Sequence, residues 1–363
     1  MGHIKPTFLQ GFSIKSFFIN KFYIFSNHKY NVSTNIIFGE SMDKKGSKTT
    51  MDVKGIPYGI KKGSPLKYRK RMKIFDIENY EREVKVRKVI TDLENRQLSK
   101  SFKKHILVLA AYLIIIIIAE IITAYYNVVY GLTIHAMMLF TLLVSSSISH
   151  SSRFSNLLRS MMILPIIRII GLTMPLIDVK LYWFPIIAVP LFAASFTLMG
   201  SQKLTLEKVG LVLGDIPLQL IVALSGVVLG FIEYLILKPQ ALISIFSLET
   251  VLFASIILII ATGFAEELLF RGILQTNAEK VLGKTFGLLY IAILFTALHI
   301  GWNSFLDLVF VFSVAIFYGY TFQKTKSLLG ITLSHGISNS FLFLIVPFIF
   351  PALMHYINTV LFW

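Results

Sequence analysis

The sequence contains no cysteine among its 363 residues. This absence excludes disulfide bridges, a thiolate nucleophile, zinc–thiolate sites and a redox Cys-x-x-Cys motif. Charged residues are also scarce over most of the chain: residues 105–363 hold 12 Lys and Arg and 10 Asp and Glu, whereas residues 1–104 hold 23 and 9. The net charge of +16 is therefore carried by the N-terminal segment.

Apolar residues dominate the rest of the chain and make up 55% of the whole sequence. A helix needs about 20 consecutive apolar residues to cross the hydrocarbon core of a bilayer. Nine segments after residue 105 approach that length, and a short tenth covers 351–363; the nine are 106–126, 132–150, 160–177, 182–200, 216–237, 249–270, 285–301, 304–323 and 327–350. The sequence therefore predicts an all-α fold, a polytopic transmembrane helical bundle of about 8–10 spanning helices.

The N-terminal segment separates into two parts by composition. We expect residues 1–50 to be a disordered basic extension and residues 51–104 to be a cytosolic segment that is basic and amphipathic. Within the second part, charges of alternating sign surround apolar residues over 72–98. That pattern predicts a surface helix lying on the membrane or on the protein body.

The cluster Lys67-Tyr68-Arg69-Lys70-Arg71 places charges next to an aromatic ring, as nucleic-acid-binding segments do. A polybasic segment before a first spanning helix is also attracted to anionic lipid and holds the N-terminus in the cytoplasm. We favour the second interpretation and predict the lipid bilayer, and no nucleic acid, as the partner. The expected location is the plasma membrane, as a multi-pass protein, and the oligomeric state stays open.

The connecting loops are consistent with that orientation. With the N-terminus inside, nine of the 12 basic residues after position 104 fall in cytoplasmic loops, as the positive-inside rule requires. The loops that contain Lys208 and Lys326 are then expected in the cytoplasm, and the loop that contains Lys238 is expected outside.

Three sets of polar residues interrupt the last apolar segments: Glu266-Glu267 with Arg271, then His299, then His335 with Asn339. An ionisable side chain in hydrocarbon costs several kcal/mol unless it is paired or faces a polar cavity. Spacings of four and five residues place Arg271 about one turn beyond the two glutamates. Several such residues in succession predict a functional site inside the membrane.

Counting along the chain predicts that these residues meet. Glu266 and His299 are equidistant from Leu282-Gly283, so an antiparallel hairpin that turns there brings them to the same level. His335 lies roughly 15 Å into the bilayer from the basic turn near Lys326, at a rise of about 1.5 Å per residue. Three helices would then contribute to one acid/base cluster.

The motifs Glu266-Glu267-x-x-x-Arg271, Phe295-x-x-x-His299 and His335-x-x-x-Asn339 resemble those of the CAAX-processing and bacteriocin-processing intramembrane proteases, the Rce1-like or CPBP (Abi) family. The order, the spacing and the helical setting of the motifs all agree. The resemblance covers about residues 215–350. It implies a CAAX-protease-like catalytic transmembrane domain over 215–363, preceded by additional transmembrane helices over 105–214.

The resemblance also implies a role for each motif residue. Glu266 would be the general base that activates a water molecule, and Glu267 and Arg271 would hold the geometry of the cluster. His299 and His335 would bind or orient the water, and Asn339 would donate a hydrogen bond to the oxyanion. The chain would be a CAAX-type intramembrane endopeptidase acting on a peptide or lipidated protein substrate, with the site open toward the cytoplasmic half of the bilayer.

Two questions stay open at this point. Glu266, His299 and His335 form a ligand set suited to Zn²⁺, so direct metal coordination and metal-free catalysis by glutamate are both possible. The alternative to an enzyme is a membrane scaffold, or an immunity-type protein, that keeps the family fold for binding a partner.

Other protease classes lack their motifs here. A rhomboid-type serine protease needs Gly-x-Ser-Gly, but the chain has Ala223-Leu224-Ser225-Gly226, and His-Glu-x-x-His is absent. Three further charged residues lie within apolar segments without a motif around them. We expect Glu120 and Arg168 to form a structural ion pair or to snorkel, and Glu233 to lie at the membrane interface.

Overall fold

The structure is a computed structural model that describes residues 74–173 and 181–351. Residues 1–50, for which we predict a disordered extension, lie outside the described residues, as do 51–73 of the predicted cytosolic segment and 352–363. The chain divides into two units, Met1–Ile77 and Glu78–Trp363, and almost all of the described residues lie in the second. The described residues form ten helices and no strand: α1 Ile74–Tyr125, α2 Val128–Ile148, α3 Ser152–Met161, α4 Ile163–Thr173, α5 Trp183–Gln202, α6 Ile216–Leu237, α7 Leu248–Leu282, α8 Lys284–Ala297, α9 Phe305–Thr325 and α10 Leu329–Pro351.

Nine helical spans within the described residues are long and apolar enough to cross a membrane, which confirms the predicted polytopic helical bundle. Most of their bounds lie close to the predicted ones. The third span begins at Ser152 rather than at residue 160, because the amphipathic helix α3 precedes its apolar part and Ser151 caps its first turn. The sixth span runs on to Leu282, since the helix continues through the polar residues after Phe270.

The surface helix that we predict over 72–98 is not a separate element. Residues 74–125 form one continuous helix, α1, which becomes the first spanning helix at Phe102. The side chains described in its first part, those of Arg82 and of residues 84–90, are exposed. The described residues of this segment are therefore part of a longer helix, and its contact with the membrane stays a prediction.

Polar side chains fix where five of these helices begin. In each case an oxygen of the capping side chain accepts a hydrogen bond from a free backbone N–H of the first turn, which stabilises the helix start by roughly 1 kcal/mol. The capping residues are Asn127, Ser151, Asp215, Ser247 and Ser304.

Helices α6 and α10 approach each other closely because α6 carries a Gly-x-x-x-Gly motif. A Cβ atom added to Gly226 would collide with the carbonyl oxygen of Ser334, and one added to Gly230 would collide with that of Ser338. Small residues at this spacing let two membrane helices bring their backbones together. The contact sets the position of α10, which carries His335 and Asn339.

The helices before residue 170 share a hydrophobic core with the hairpin of α7 and α8. Buried residues of α1 to α3 such as Ile116, Leu142 and Leu158 belong to the same cluster as Phe270 of α7 and Phe295 of α8. The first helices therefore pack directly against the elements that carry two of the three polar motifs.

The hairpin turns where the sequence predicts. Gly283 separates α7 from α8 and has φ of +81°, a conformation that glycine adopts without strain. Within α7, Ala265–Glu267 is a single α-helical turn between two π-helical segments, Ile259–Phe264 and Leu268–Gln275. π-helical turns are rare and are frequent at functional sites.

Candidate active site

A cavity of about 700 Å³ lies between α5, α6, α7, α8, α9 and α10. Glu266 of α7, His299 at the end of α8, and His335 and Asn339 of α10 all line it. The structure thus brings together one or more members of each of the three motifs. Glu267 and Arg271 lie behind the wall, where both are buried.

Glu267 connects two other residues of the cluster, Arg271 and His335. Its Oε1 accepts a hydrogen bond from Nη1 of Arg271 at 2.9 Å and another from Nδ1 of His335 at 2.8 Å. The guanidinium of Arg271 lies over the ring of Phe295, 4.6 Å from its centroid, and near that of Tyr318. Glu267 therefore fixes the orientation of the His335 ring and compensates the buried charge of Arg271.

Glu266 is the glutamate that faces the cavity. Its side chain is 32% exposed, whereas that of Glu267 is fully buried. Its Oε2 lies 3.9 Å from Nε2 of His335. This distance is too long for a direct hydrogen bond, but a water molecule about 2.8 Å from each atom can bridge them.

Both histidines line the cavity, and in both Nδ1 is engaged by an oxygen atom. Nδ1 of His299 lies 2.9 Å from the carbonyl oxygen of Phe295, and that oxygen can only accept, so Nδ1 carries the proton. The ring of His299 packs on the ring of Phe295, with centroids 4.7 Å apart. In His335 the bond to Glu267 has the same effect. Each Nε2 is left to accept a proton or bind a ligand.

Asn339 is held by α7. Its Nδ2 donates to Oγ1 of Thr262 at 2.9 Å, and the hydroxyl of Thr262 donates to the carbonyl of Leu258. The amide of asparagine carries two N–H donors, so one of them is left for a substrate oxygen. The sequence analysis missed Thr262, which lies outside the motifs. Only its position one helical turn before Glu266 could have indicated a place at the site.

The residues fit Zn²⁺ in chemistry but not in spacing. Histidines that bind zinc through Nε2 commonly donate Nδ1–H to an oxygen, as His299 and His335 do here. In the part of the chain that the structure describes, however, no three His, Asp or Glu side chains lie close enough to hold one ion together.

Of the two alternatives predicted for Glu120 and Arg168, an ion pair or snorkelling, the structure shows the ion pair. Nε of Arg168 donates to Oε1 of Glu120 at 2.6 Å, and Nε2 of His135 lies 3.3 Å from the same oxygen. The sequence did not reveal that Nη2 of Arg168 also donates to the carbonyl oxygen of Leu298, the residue before His299. Helices outside the motif segment therefore reach the candidate site.

Glu233 lies in the wall of the cavity, which the sequence did not reveal, and its place at the membrane interface stays a prediction. Its position follows from the face of α6 that meets α10. Gly226, Gly230 and Glu233 follow each other at spacings of four and three residues and so share that face. The glycine motif could have indicated this, but only with the knowledge that α6 packs on α10.

The cavity is lined in part by the loops at one end of the bundle. Pro239 to Leu242, between α6 and α7, and Trp302, between α8 and α9, belong to this lining. Both loops lie at the end of the bundle opposite to Gly283. In the predicted orientation that end of the bundle is external. The cavity therefore reaches the external end, whereas we expected the site to open toward the cytoplasmic half of the bilayer.

A protein-family model described as "Type II CAAX prenyl endopeptidase Rce1-like" matches residues 248–341. No curated protein and no solved structure matches the chain. The matched segment begins with α7 and ends within α10, and it contains all six of the predicted site residues, Glu266, Glu267, Arg271, His299, His335 and Asn339. Residues 248–341 of this chain are therefore similar to the Rce1-like family.

Proposed function

We propose that this protein is an intramembrane endopeptidase that hydrolyses peptide bonds with a water molecule activated by Glu266. Its substrate is membrane-associated, as a prenylated protein, a peptide precursor or a membrane-protein tail would be. The family match over 248–341 supports a protease of the CAAX type. The nine candidate spans support a site that acts within the bilayer.

One observation carries the proposal: the two adjacent glutamates have different surroundings. Glu267 is buried and accepts hydrogen bonds from Arg271 and His335, so it serves the framework of the cluster. Glu266 lines the cavity with a partly exposed carboxylate, 3.9 Å from a histidine nitrogen. A carboxylate in that position can accept a proton from a water molecule held between it and His335.

The reaction proceeds in two steps. In the first step, Glu266 takes a proton from the water molecule while the oxygen of that water attacks the carbonyl carbon of the peptide bond. The tetrahedral oxyanion accepts a hydrogen bond from the free N–H of Asn339. In the second step the C–N bond breaks, and the proton held by Glu266 passes to the leaving amine. His299 and His335 keep the water and the substrate oriented.

The test compares Glu266→Gln with the unchanged protein in lipid nanodiscs, using quenched fluorescent peptides with and without a farnesyl group. Glutamine keeps the shape of the side chain but cannot accept the proton, so we expect turnover to fall by about 10²-fold or more while substrate binding survives. The matched control is Glu207→Gln, which changes an exposed carboxylate between α5 and α6 that does not line the cavity. Full activity of Glu266→Gln would refute the proposal.

The same preparations decide whether zinc takes part. If His299 and His335 bind zinc, then chelation should abolish activity, added zinc should restore it, and His299→Ala or His335→Ala should lose the ion. Unchanged activity in protein shown to be metal-free would favour water activated by Glu266 alone. A scaffold would instead cleave no peptide and keep its cellular phenotype when Glu266 is replaced by alanine.

A further inference from the structure

Glu233 places a second carboxylate in the wall of the cavity that holds Glu266. It belongs to α6 and so lies outside the segment that matches the family. Glu266, His335 and Ser338 line the same cavity. The proposed hydrolysis does not use Glu233.

Asp307 on α9 is a further acidic residue, next to the wall of the cavity. It is fully buried in the first turn of α9, where its backbone N–H donates to the hydroxyl of Ser304. Among the described residues, neither of its carboxylate oxygens has a hydrogen-bond partner. Phe310 and Val311, one turn further along the same face of α9, line the cavity.

No lysine or arginine lines this cavity in the part of the chain that is described. The two nearest guanidinium groups already have carboxylate partners, because Arg271 pairs with Glu267 and Arg168 with Glu120. A carboxylate away from bulk water is costly until a cation pairs with it. The cavity therefore contains acidic groups that a cation from outside the chain would stabilise.

We propose that Glu233, assisted by the charge of Asp307, binds a basic side chain of the peptide substrate close to the bond that is cleaved. The enzyme would then select substrates that carry a lysine or arginine at that place. This inference rests on the proposed function, since it names the substrate class of the same site. An organic cation is favoured over a metal ion because no three ligand side chains converge in the described residues.

The test uses the full-length protein in nanodiscs and pairs of peptides that differ only in lysine or norleucine, placed in turn at each position around the scissile bond. At one position we expect lysine to raise kcat/KM by about 10- to 100-fold over norleucine, the range of a charge-assisted hydrogen bond. Glu233→Gln should remove most of that ratio, and Asp307→Asn should reduce it less. Glu249→Gln, an exposed carboxylate at the same end of the bundle, should keep it.

A Glu233→Gln protein that keeps the full lysine preference would overturn the inference. An equal fall in kcat/KM for the lysine and the norleucine peptide of a pair would do the same. So would the loss, in that variant, of a metal ion found in the wild-type protein by elemental analysis. The binding of the same peptides to Glu266→Gln protein provides a second measurement that does not need turnover. If no peptide is cleaved, the proposed function fails, and a lysine preference in binding that depends on Glu233 still supports the inference; binding without preference overturns it.

Discussion

The guanidinium of Arg168 donates a hydrogen bond to the carbonyl oxygen of Leu298, and this bond joins a helix of the N-terminal half to the residue before His299. Arg168 is itself held by Glu120, which is buried on α1. His299 follows the last turn of α8, where a backbone carbonyl without a partner would leave the turn free to shift. Arg168 is therefore a positioning residue for His299.

We expect Arg168→Gln to lower kcat by about 10- to 100-fold with little change in KM, because a small displacement of a reacting group is costly for turnover but not for binding. Arg168→Lys should restore part of the activity, since the ammonium group keeps the charge and a donor. The measurement is peptide cleavage in nanodiscs. Arg159→Gln, an exposed arginine on α3, serves as the control, and an equal loss in that variant would contradict the role of Arg168.

Glu267→Ala should destabilise the protein far more than Glu266→Ala. Removal of Glu267 leaves the fully buried Arg271 without its carboxylate and His335 without its acceptor, and breaking a buried pair in this way costs about 3–5 kcal/mol. Glu266 faces the cavity, where water can replace its contacts. Thermal unfolding in one detergent gives the comparison, and equal shifts in Tm for the two variants would show that the two glutamates do not differ in this way.

Gly230→Ala should lower stability by about 1–3 kcal/mol, because its Cβ would meet the backbone of Ser338 and push α6 from α10. Gly200→Ala is the matched control, since nothing lies near its added Cβ. Alanine favours helix over glycine by about 1 kcal/mol, so the control should be neutral or slightly more stable. Thermal unfolding again provides the measurement; a Gly230→Ala protein as stable as the control would exclude the close helix contact.

The orientation in the membrane can be tested with single cysteines, since the chain has none of its own. Ser244 and Lys208 are exposed in loops at opposite ends of the bundle. With the N-terminus inside, a membrane-impermeant maleimide applied to intact cells should label Ser244→Cys and spare Lys208→Cys. The reverse pattern would place the loop with Pro239 to Leu242, and with it that end of the cavity, in the cytoplasm.

The sequence was most informative where a relationship depends on counting along the chain. The turn at Gly283 and the shared cavity of Glu266 and His299 follow from residue numbers within a single hairpin, and the structure agrees with both. The nine spans follow from length and hydropathy alone. Local spacing also placed Arg271 about one helical turn from both glutamates, and the structure shows that Glu267 is its partner.

The positions of Glu233 and Arg168 at the site, which the sequence did not predict, depend on contacts between helices that are distant in sequence. Glu233 reaches the cavity only because two glycines bring α6 against α10, and Arg168 meets Leu298 across 130 positions of sequence. No periodicity within one segment reports which face of one helix meets which face of another. In a membrane the apolar pattern is weaker still as a guide, since lipid and protein interior are equally apolar.

The π-helical segment Ile259–Phe264, which precedes the two glutamates, makes the aim of Glu266 sensitive to chain length. A π-helical turn already holds about one residue more than an α-helical turn, so a further residue inserted here could not be absorbed and would turn everything beyond it by about 100° relative to the start of α7. Glu267 and Arg271 lie on the same side of the insertion and would stay paired with each other. The Glu-Glu-x-x-x-Arg motif would thus remain complete in the sequence while Glu266 pointed away from the cavity.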